Sequence, residues 1–265
     1  MATYHALTIT LRCQRLREAD RILSLLAREQ GRIEAVVKGV GKPKSKLTPV
    51  TQLFSCNRLM LAEGRSLDTV AQVQVVDAFY ALREDPRRLG HAAYVAELVT
   101  KTSERGQEST ELFDLVRGTL RALCEAADLR LVTHAFEARF LDLHGYGIPA
   151  EACLGCEQDL SGRRLGFSPR EGGFYCGRCA ASGGVAVCAG TVRTLARLQE
   201  RGLAGLERLS PTRQVREELR SVLRAHLDFH VGARLRSLEF LRSLEKAGAS
   251  RRTGRDNAGR LRLPP

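Results

Sequence analysis

The sequence predicts a multi-domain α+β protein: a small N-terminal β-barrel leads into an α-helical domain that is interrupted by a four-cysteine ribbon. Three observations carry this. Alternating, β-branched segments run from Thr3 to Phe79, a helical period begins after Asp85-Pro86, and two C-x-x-C pairs lie between Cys153 and Cys179. The chain has 265 residues, 43% of them hydrophobic and 27% charged, enough to bury a substantial core and too apolar for wholesale disorder.

In the first 80 residues, ALTITLR, RIEAVVKGV, LFSCNRLML and LDTVAQVQVV read as strands separated by glycine-bearing turns. DRILSLLAREQ suits a short helix or a strand by its period. The Glu29-Gln30-Gly31 step into RIEAVV resembles a hairpin loop with glycine in the left-handed position, so the segment is read as a strand. Five strands with turn signals at short spacing predict a small closed or partly open barrel, of which the OB-fold is the leading member.

Beyond Asp85, Leu89, Ala92, Ala93, Ala96, Leu98 and Val99 recur at helical spacing. Ser109 and Thr110 offer an N-cap to ELFDLVRGTLRALCEA, and Asp128 offers one to LRLVTHAFEARFLDLHG. Helical patterns resume after Cys188 in GTVRTLARLQERG, TRQVREELRSVLRAHLDFHVG and RLRSLEFLRSLEKAG. The reading divides the chain into a barrel (1–80), a helical domain in two pieces (81–149 and 189–246), an inserted ribbon (150–188) and a basic, mobile tail (247–265).

Cys153-x2-Cys156 and Cys176-x2-Cys179 are 19 residues apart, a spacing expected of a closed tetrahedral site holding one structural Zn²⁺ per chain. Four thiolates leave no open position for water, so such a metal holds the fold and does no catalysis. His226 and His230 are four apart, but HLDFH is not H-E-x-x-H and no third ligand accompanies it, which favours packing. Cys13, Cys56, Cys124 and Cys188 read as small core residues in a reducing compartment.

The formal charge is +12, distributed unevenly. Residues 1–80 carry 12 basic against 7 acidic side chains and residues 191–265 carry 17 against 8, while the middle is near neutral. Basic ends of this kind suit a polyanion. KGVGKPKSK lacks the Walker A spacing, and no paired-carboxylate, G-x-S-x-G or dinucleotide pattern nominates an active site, so the chain is read as a non-enzyme. Lys38, Lys42, Lys44 and Lys46, with Arg12, Arg15, Arg17 and Arg32 as neighbours, are the candidate phosphate contacts to a nucleic acid; Arg216, Arg220 and Arg224, four apart, are a candidate second basic face. Aromatic residues make up only 5% with no Trp, too few for base-by-base stacking, so phosphate contact dominates and binding is expected to weaken steeply with salt. No apolar run approaches the ~18–20 residues of a membrane span, and the N-terminus does not read as a signal peptide, which points to a soluble, cytoplasmic protein.

The order EADRILSLLAREQGRIEAVVKGVGKPKSKL, LDTVAQVQVVDAF and FEARFLDLHGYGIPAEACLGC closely resembles the RecO recombination mediators of bacteria, over nearly the whole chain up to about Gly248. The resemblance implies an N-terminal OB-fold, a central helical domain and a zinc-ribbon insertion. It also implies binding of single- and double-stranded DNA, annealing of complementary strands, and work with RecR to load RecA onto strands coated by single-strand-binding protein (SSB) in the RecF pathway. Some relatives lack intact cysteine pairs; this chain keeps Cys153, Cys156, Cys176 and Cys179. The Arg-rich tail departs from the family pattern. Two other classes stay open from the residues: an RNA-binding or ribosome-associated zinc-ribbon protein, and a metal-dependent enzyme using His226 and His230.

Overall fold

The computed structural model describes residues 2–162, 164–180, 184–232 and 235–244. The basic segment 247–265 lies outside them. Strands β1 (Thr3–Arg15), β2 (Arg21–Ala27), β3 (Gly31–Val37), β4 (Cys56–Ala62) and β5 (Asp68–Asp77) close a barrel in the order β1-β2-β3-β5-β4. Neighbours are antiparallel except β3 and β5, which run parallel where Ala35 meets Asp68 and Val36 meets Thr69. This is the OB-fold that the alternation predicted.

Strand β1 serves two cores. Its two edges pair with β4 from Thr3 to Ile9 and with β2 from Thr8 to Arg15, and the ladder with β2 slips between Thr10 and Arg12. Ala6 faces the barrel interior with Leu23, Leu25, Ala35, Val37, Leu59, Leu61 and Val70. Ile9 and Leu11 point the other way, into the core of the helical domain, joined by Leu26 and Phe54. Thr8 and Thr10 are fully buried and satisfied: Thr8 Oγ1 donates to the Asn57 carbonyl (3.2 Å) and Thr10 Oγ1 to the Val50 carbonyl (2.9 Å). A 3₁₀ turn, Thr48–Thr51, contributes Val50 to the barrel core. The segment DRILSLLAREQ is the strand β2, followed by Gly31 at φ 65°, the left-handed glycine expected there.

The helical domain comprises α1 (Ala81–Glu84), α2 (Pro86–Thr102), α3 (Thr110–Glu125), α4 (Leu129–Leu143), α5 (Ala189–Arg201), α6 (Arg213–Val231) and α7 (residues 236–244). The caps expected at Ser109 and Asp128 form, and Asp85 supplies a further one. Asp85 accepts from Arg87 N at 2.8 Å, Ser109 Oγ from Leu112 N at 3.2 Å, and Asp128 from Leu131 N at 3.1 Å. Helix α4 is central, packed by α2, α3, α5 and α6, and buries Val132, Ala135, Phe136, Phe140 and Leu141. The Glu97 carboxylate accepts from Arg236 N and Ser237 N, seating α7 on α2. Between α4 and α5 lies a three-stranded sheet, β7-β6-β8, of β6 (Leu165–Ser168), β7 (Gly173–Tyr175) and β8 (Val185–Val187). Its Phe167 and Phe174 are fully buried and belong to the helical core.

Two polar groups sit inside this packing. Glu137 accepts from Tyr94 Oη at 2.5 Å and lies 2.8 Å from His134 Nδ1. Thr133 Oγ1 donates to the Leu129 carbonyl, so His91 Nδ1, 2.7 Å away, carries its proton and donates to the hydroxyl. Burial, with His134 adding to it, lowers the His91 pKa from 6.5 to about 4. The unfolded chain therefore binds one more proton between pH 6.5 and 4, and stability is expected to fall by roughly 3 kcal/mol as pH drops through that window. Urea unfolding of the protein and of His91→Gln at a series of pH values checks this: the variant loses that part of the slope and is flatter by one proton.

Candidate nucleic-acid interface and metal centre

The register of the barrel decides which basic residues meet. Arg15 pairs with Arg21, and Arg21 pairs with Val37, so the β1–β2 turn and the loop after β3 emerge side by side. Lys38, Lys42, Lys44 and Lys46 are exposed on that loop, and Arg12, Arg15 and Arg17 are exposed beside it. None of these seven makes an ion pair among the described residues. The only acidic side chains in the two segments, residues 12–21 and 38–47, are Glu18 and Asp20, and neither segment contains an aromatic ring.

Backbone and side-chain bonds lock the two loops together. Asp20 Oδ1 accepts from Gly39 N (2.8 Å), and Gly41 N donates to the Ala19 carbonyl (3.0 Å). Gly39 has φ 66°, and a Cβ on Gly41 would lie 3.1 Å from Ala19 Cα, so both glycines are required by the local geometry. Arg21 Nη1 donates to the Asp20 carbonyl (3.0 Å), bracing the turn. The loop itself is a chain of turns, Lys42 N to the Gly39 carbonyl and Ser45 N to the Lys42 carbonyl. The result is an array of cations on tied backbones, none of them ion-paired among the described residues, suited to phosphates and not to reading base edges. Asp20 and Arg21 were not singled out from the sequence; the pairing of a turn carboxylate with a loop 19 residues on leaves no periodic trace.

Two groups of expected contacts are placed elsewhere. Arg32 pairs with Leu26, five residues back along β3 from the basic loop, about 17 Å at strand rise. Its carbonyl accepts from Gly106 N, and its guanidinium lies 4.0 Å from Glu34, so it belongs to the barrel–helix junction. Along α6, Arg216 is paired with Asp128 and donates to the Pro211 carbonyl, and Arg224 is paired with Asp228. Arg220 alone of the three is exposed. Carboxylates reached through tertiary packing and one helical turn on thus occupy two members of the second basic face.

The four cysteines gather as the spacing predicts. Their Sγ atoms all lie within 4.8 Å of one another, and Cys156 and Cys176 are 3.7 Å apart. A four-thiolate tetrahedron with metal–sulfur bonds of ~2.3 Å has edges of roughly 3.8 Å, so the donor set fits such an ion. Cys153 is buried; Gly155 N and Cys176 N donate to its sulfur at 3.4 and 3.2 Å. Burial opposes ionisation of Cys153, but these backbone donors bring its pKa to about 6, while Cys179, donating its proton to Cys156 and Cys176, is pushed up to about 12. The four sulfurs resist carrying four charges together, the conflict that a divalent cation resolves. A Cβ on Gly155 would sit 3.1 Å from Cys179 Cβ, which explains the small residue inside the first pair.

His226 and His230 are packed, with ring centroids 4.3 Å apart. His226 Nε2 donates to the Tyr146 carbonyl (2.8 Å) and its ring meets Phe167 edge-on at 5.7 Å; His230 stacks on Tyr146. They tie the ribbon to α6. Among the described residues the four cysteines are the only such gathering of three or more ligand groups, and no helix is long and apolar enough to cross a membrane.

Comparison with known proteins adds the following. The family model "Recombination protein O N terminal" matches residues 1–79, and "Recombination protein O C terminal" matches residues 83–239. The DNA repair protein RecO of Pelotomaculum thermopropionicum is 39% identical over 251 residues, 94% of this chain and 97% of that protein. Those of Moorella thermoacetica and Symbiobacterium thermophilum are 35% and 32% identical, covering 91% and 93% of this chain and 91% and 100% of their own lengths.

The lock between the loops can be tested without any ligand. Asp20→Ala removes the acceptor of Gly39 N and is expected to cost about 1 kcal/mol. Limited trypsin digestion should then cut faster after Lys44 and Lys46, whereas Asp20→Asn, which keeps an acceptor, should cleave nearly as the parent does.

Proposed function

This chain belongs to the RecO family, and on that premise we propose that it is a DNA-repair recombination mediator whose barrel grips sugar-phosphate backbones. It binds single- and double-stranded DNA, anneals complementary strands and, with RecR, assists loading of RecA onto SSB-coated DNA in the RecF pathway. It acts by binding, without turnover, in the cytoplasm beside the nucleoid. The observation that carries the reading is the end of the barrel where seven exposed cations, without ion pairs among the described residues, stand on segments whose backbones are tied together and which contain no aromatic residue.

That arrangement suits annealing on physical grounds. Two complementary strands repel through their phosphates over a screening length of ~10 Å at 0.1 M salt. Lysines that neutralise the phosphates lower this repulsion, and with no aromatic platform to hold the bases, the Watson–Crick edges stay free to pair. Cys153, Cys156, Cys176 and Cys179 would hold one Zn²⁺, which, when bound, supplies structural cross-linking of the two knuckles and no chemistry on a substrate.

Two measurements test this. Lys42→Ala, Lys44→Ala and Lys46→Ala together should weaken oligonucleotide binding and reduce the salt slope by roughly 2, counting ~0.7 per phosphate on single strands. Annealing of complementary oligonucleotides without nucleotide should slow in parallel. An unchanged slope, or a clear preference for RNA over the matched DNA strand, would move the assignment to an RNA-binding ribbon protein. For the metal, elemental analysis should find one Zn²⁺ per chain. Cys176→Ser should lose it and lower the melting temperature, while the barrel keeps its DNA affinity.

A further inference from the structure

We propose that α5 and the turn after it form a second seat for a sugar-phosphate backbone, on the helical domain and separate from the barrel. The inference rests on the reading that the chain binds nucleic acid, and it adds a place for the second strand. Arg193, Arg197 and Arg201 are exposed and spaced four apart on α5, so they form a stripe with a rise of roughly 6 Å per step. The opposite face buries Val192, Leu195 and Leu198 against the helical core. None of the three arginines has an ion pair among the described residues.

The stripe runs into a hollow of about 230 Å³ lined by Arg197, Arg201, Gly202, Gly205, Arg208 and Leu209. Gly202 and Gly205, at φ 57° and 75°, turn the chain back so that Arg208 faces the stripe across the hollow. Among the described residues the carboxylate paired with Arg208 is that of its neighbour Glu207, 3.6 Å away and largely exposed, an ion pair of little worth. The hollow is smaller than the ~300–1,000 Å³ usual for a small-molecule site, so it suits a phosphodiester group and not a whole nucleotide.

Helix electrostatics do not account for these charges. Cations near a helix C-terminus gain ~0.3–1 kcal/mol, which applies to Arg201 but not to Arg193, four residues inside the N-terminal end. That N-terminus is itself occupied, since the Glu218 carboxylate accepts from Cys188 N (2.8 Å) and Thr191 Oγ1. The anion site is therefore the flank and the C-terminal turn. A straight stripe of forked guanidiniums ending in a hollow matches an extended polyanion better than a compact acidic peptide.

The test compares the full-length protein, Arg197→Ala/Arg201→Ala/Arg208→Ala, the barrel-loop triple variant, and their combination, using short oligothymidylate at about 50 and 200 mM salt. The α5 variant should lose one of two bound oligonucleotides per chain, lower the salt slope by roughly 2, and slow annealing about tenfold. An Arg→Lys version should restore most of the binding, separating charge from fold. Parent-like stoichiometry and slope in the α5 variant, with loss only in the barrel variant, overturns the second seat and leaves the barrel reading standing; loss only in the α5 variant does the reverse. If an acidic decapeptide binds the α5 hollow more tightly than oligothymidylate does, the surface belongs to a protein partner and the proposal fails.

Discussion

The molecule depends on a single strand being shared between two interiors. Strand β1 puts Ala6, Thr8 and Thr10 inside the barrel while Ile9 and Leu11 reach the helical core, which the alternation of a strand supplies, and the slip between Thr10 and Arg12 turns Cys13 back toward the barrel. Because side chains alternate, a one-residue error in this register would reverse every one of those faces. The slip also fixes the pairing of Arg12, Cys13, Gln14 and Arg15 with Ser24, Leu23, Ile22 and Arg21, and so where the β1–β2 turn emerges. The outer face of β1 lies under the helices; the charged end stays clear.

A cluster of unpaired cations is a cost to the folded chain, since like charges repel and gain nothing from one another. The structure carries that cost at the barrel end by tying the backbone beneath it, through Asp20 with Gly39, Ala19 with Gly41, and Arg21 with the turn carbonyls. The Asp20 carboxylate serves the backbone, and the lysines make no ion pair among the described residues. Function and strain share a location because phosphate binding requires cations that have not already been neutralised.

The ribbon is built on a different principle. Its three short strands bury only a few side chains, so the two cysteine knuckles and the docking of Phe167 against His226 must define its shape. His226 is deprotonated more readily than a free histidine because it is buried, which suits its role as a neutral donor to the Tyr146 carbonyl. The two histidines that resembled a metal pair in the sequence are the hinge-pin of the ribbon.

What the sequence by itself determined is local: the strand alternation, the caps at Ser109 and Asp128, the left-handed glycine at Gly31, and the cysteine pairs, each of which depends on residues a few positions apart. The tertiary structure decided which charges are available. Arg216 and Asp128 lie 88 positions apart in sequence, and nothing periodic announces that they pair. Arg32 carries the same charge as Arg15, but the register places it at the other end of the barrel. Arg193, Arg197 and Arg201 share the four-residue spacing of Arg216, Arg220 and Arg224; Asp228, one turn on from Arg224, is a local partner, but the neutralisation of Arg216 comes from the packing that brings Asp128 to it. Charge is read from composition, whereas part of its neutralisation depends on contacts between distant segments.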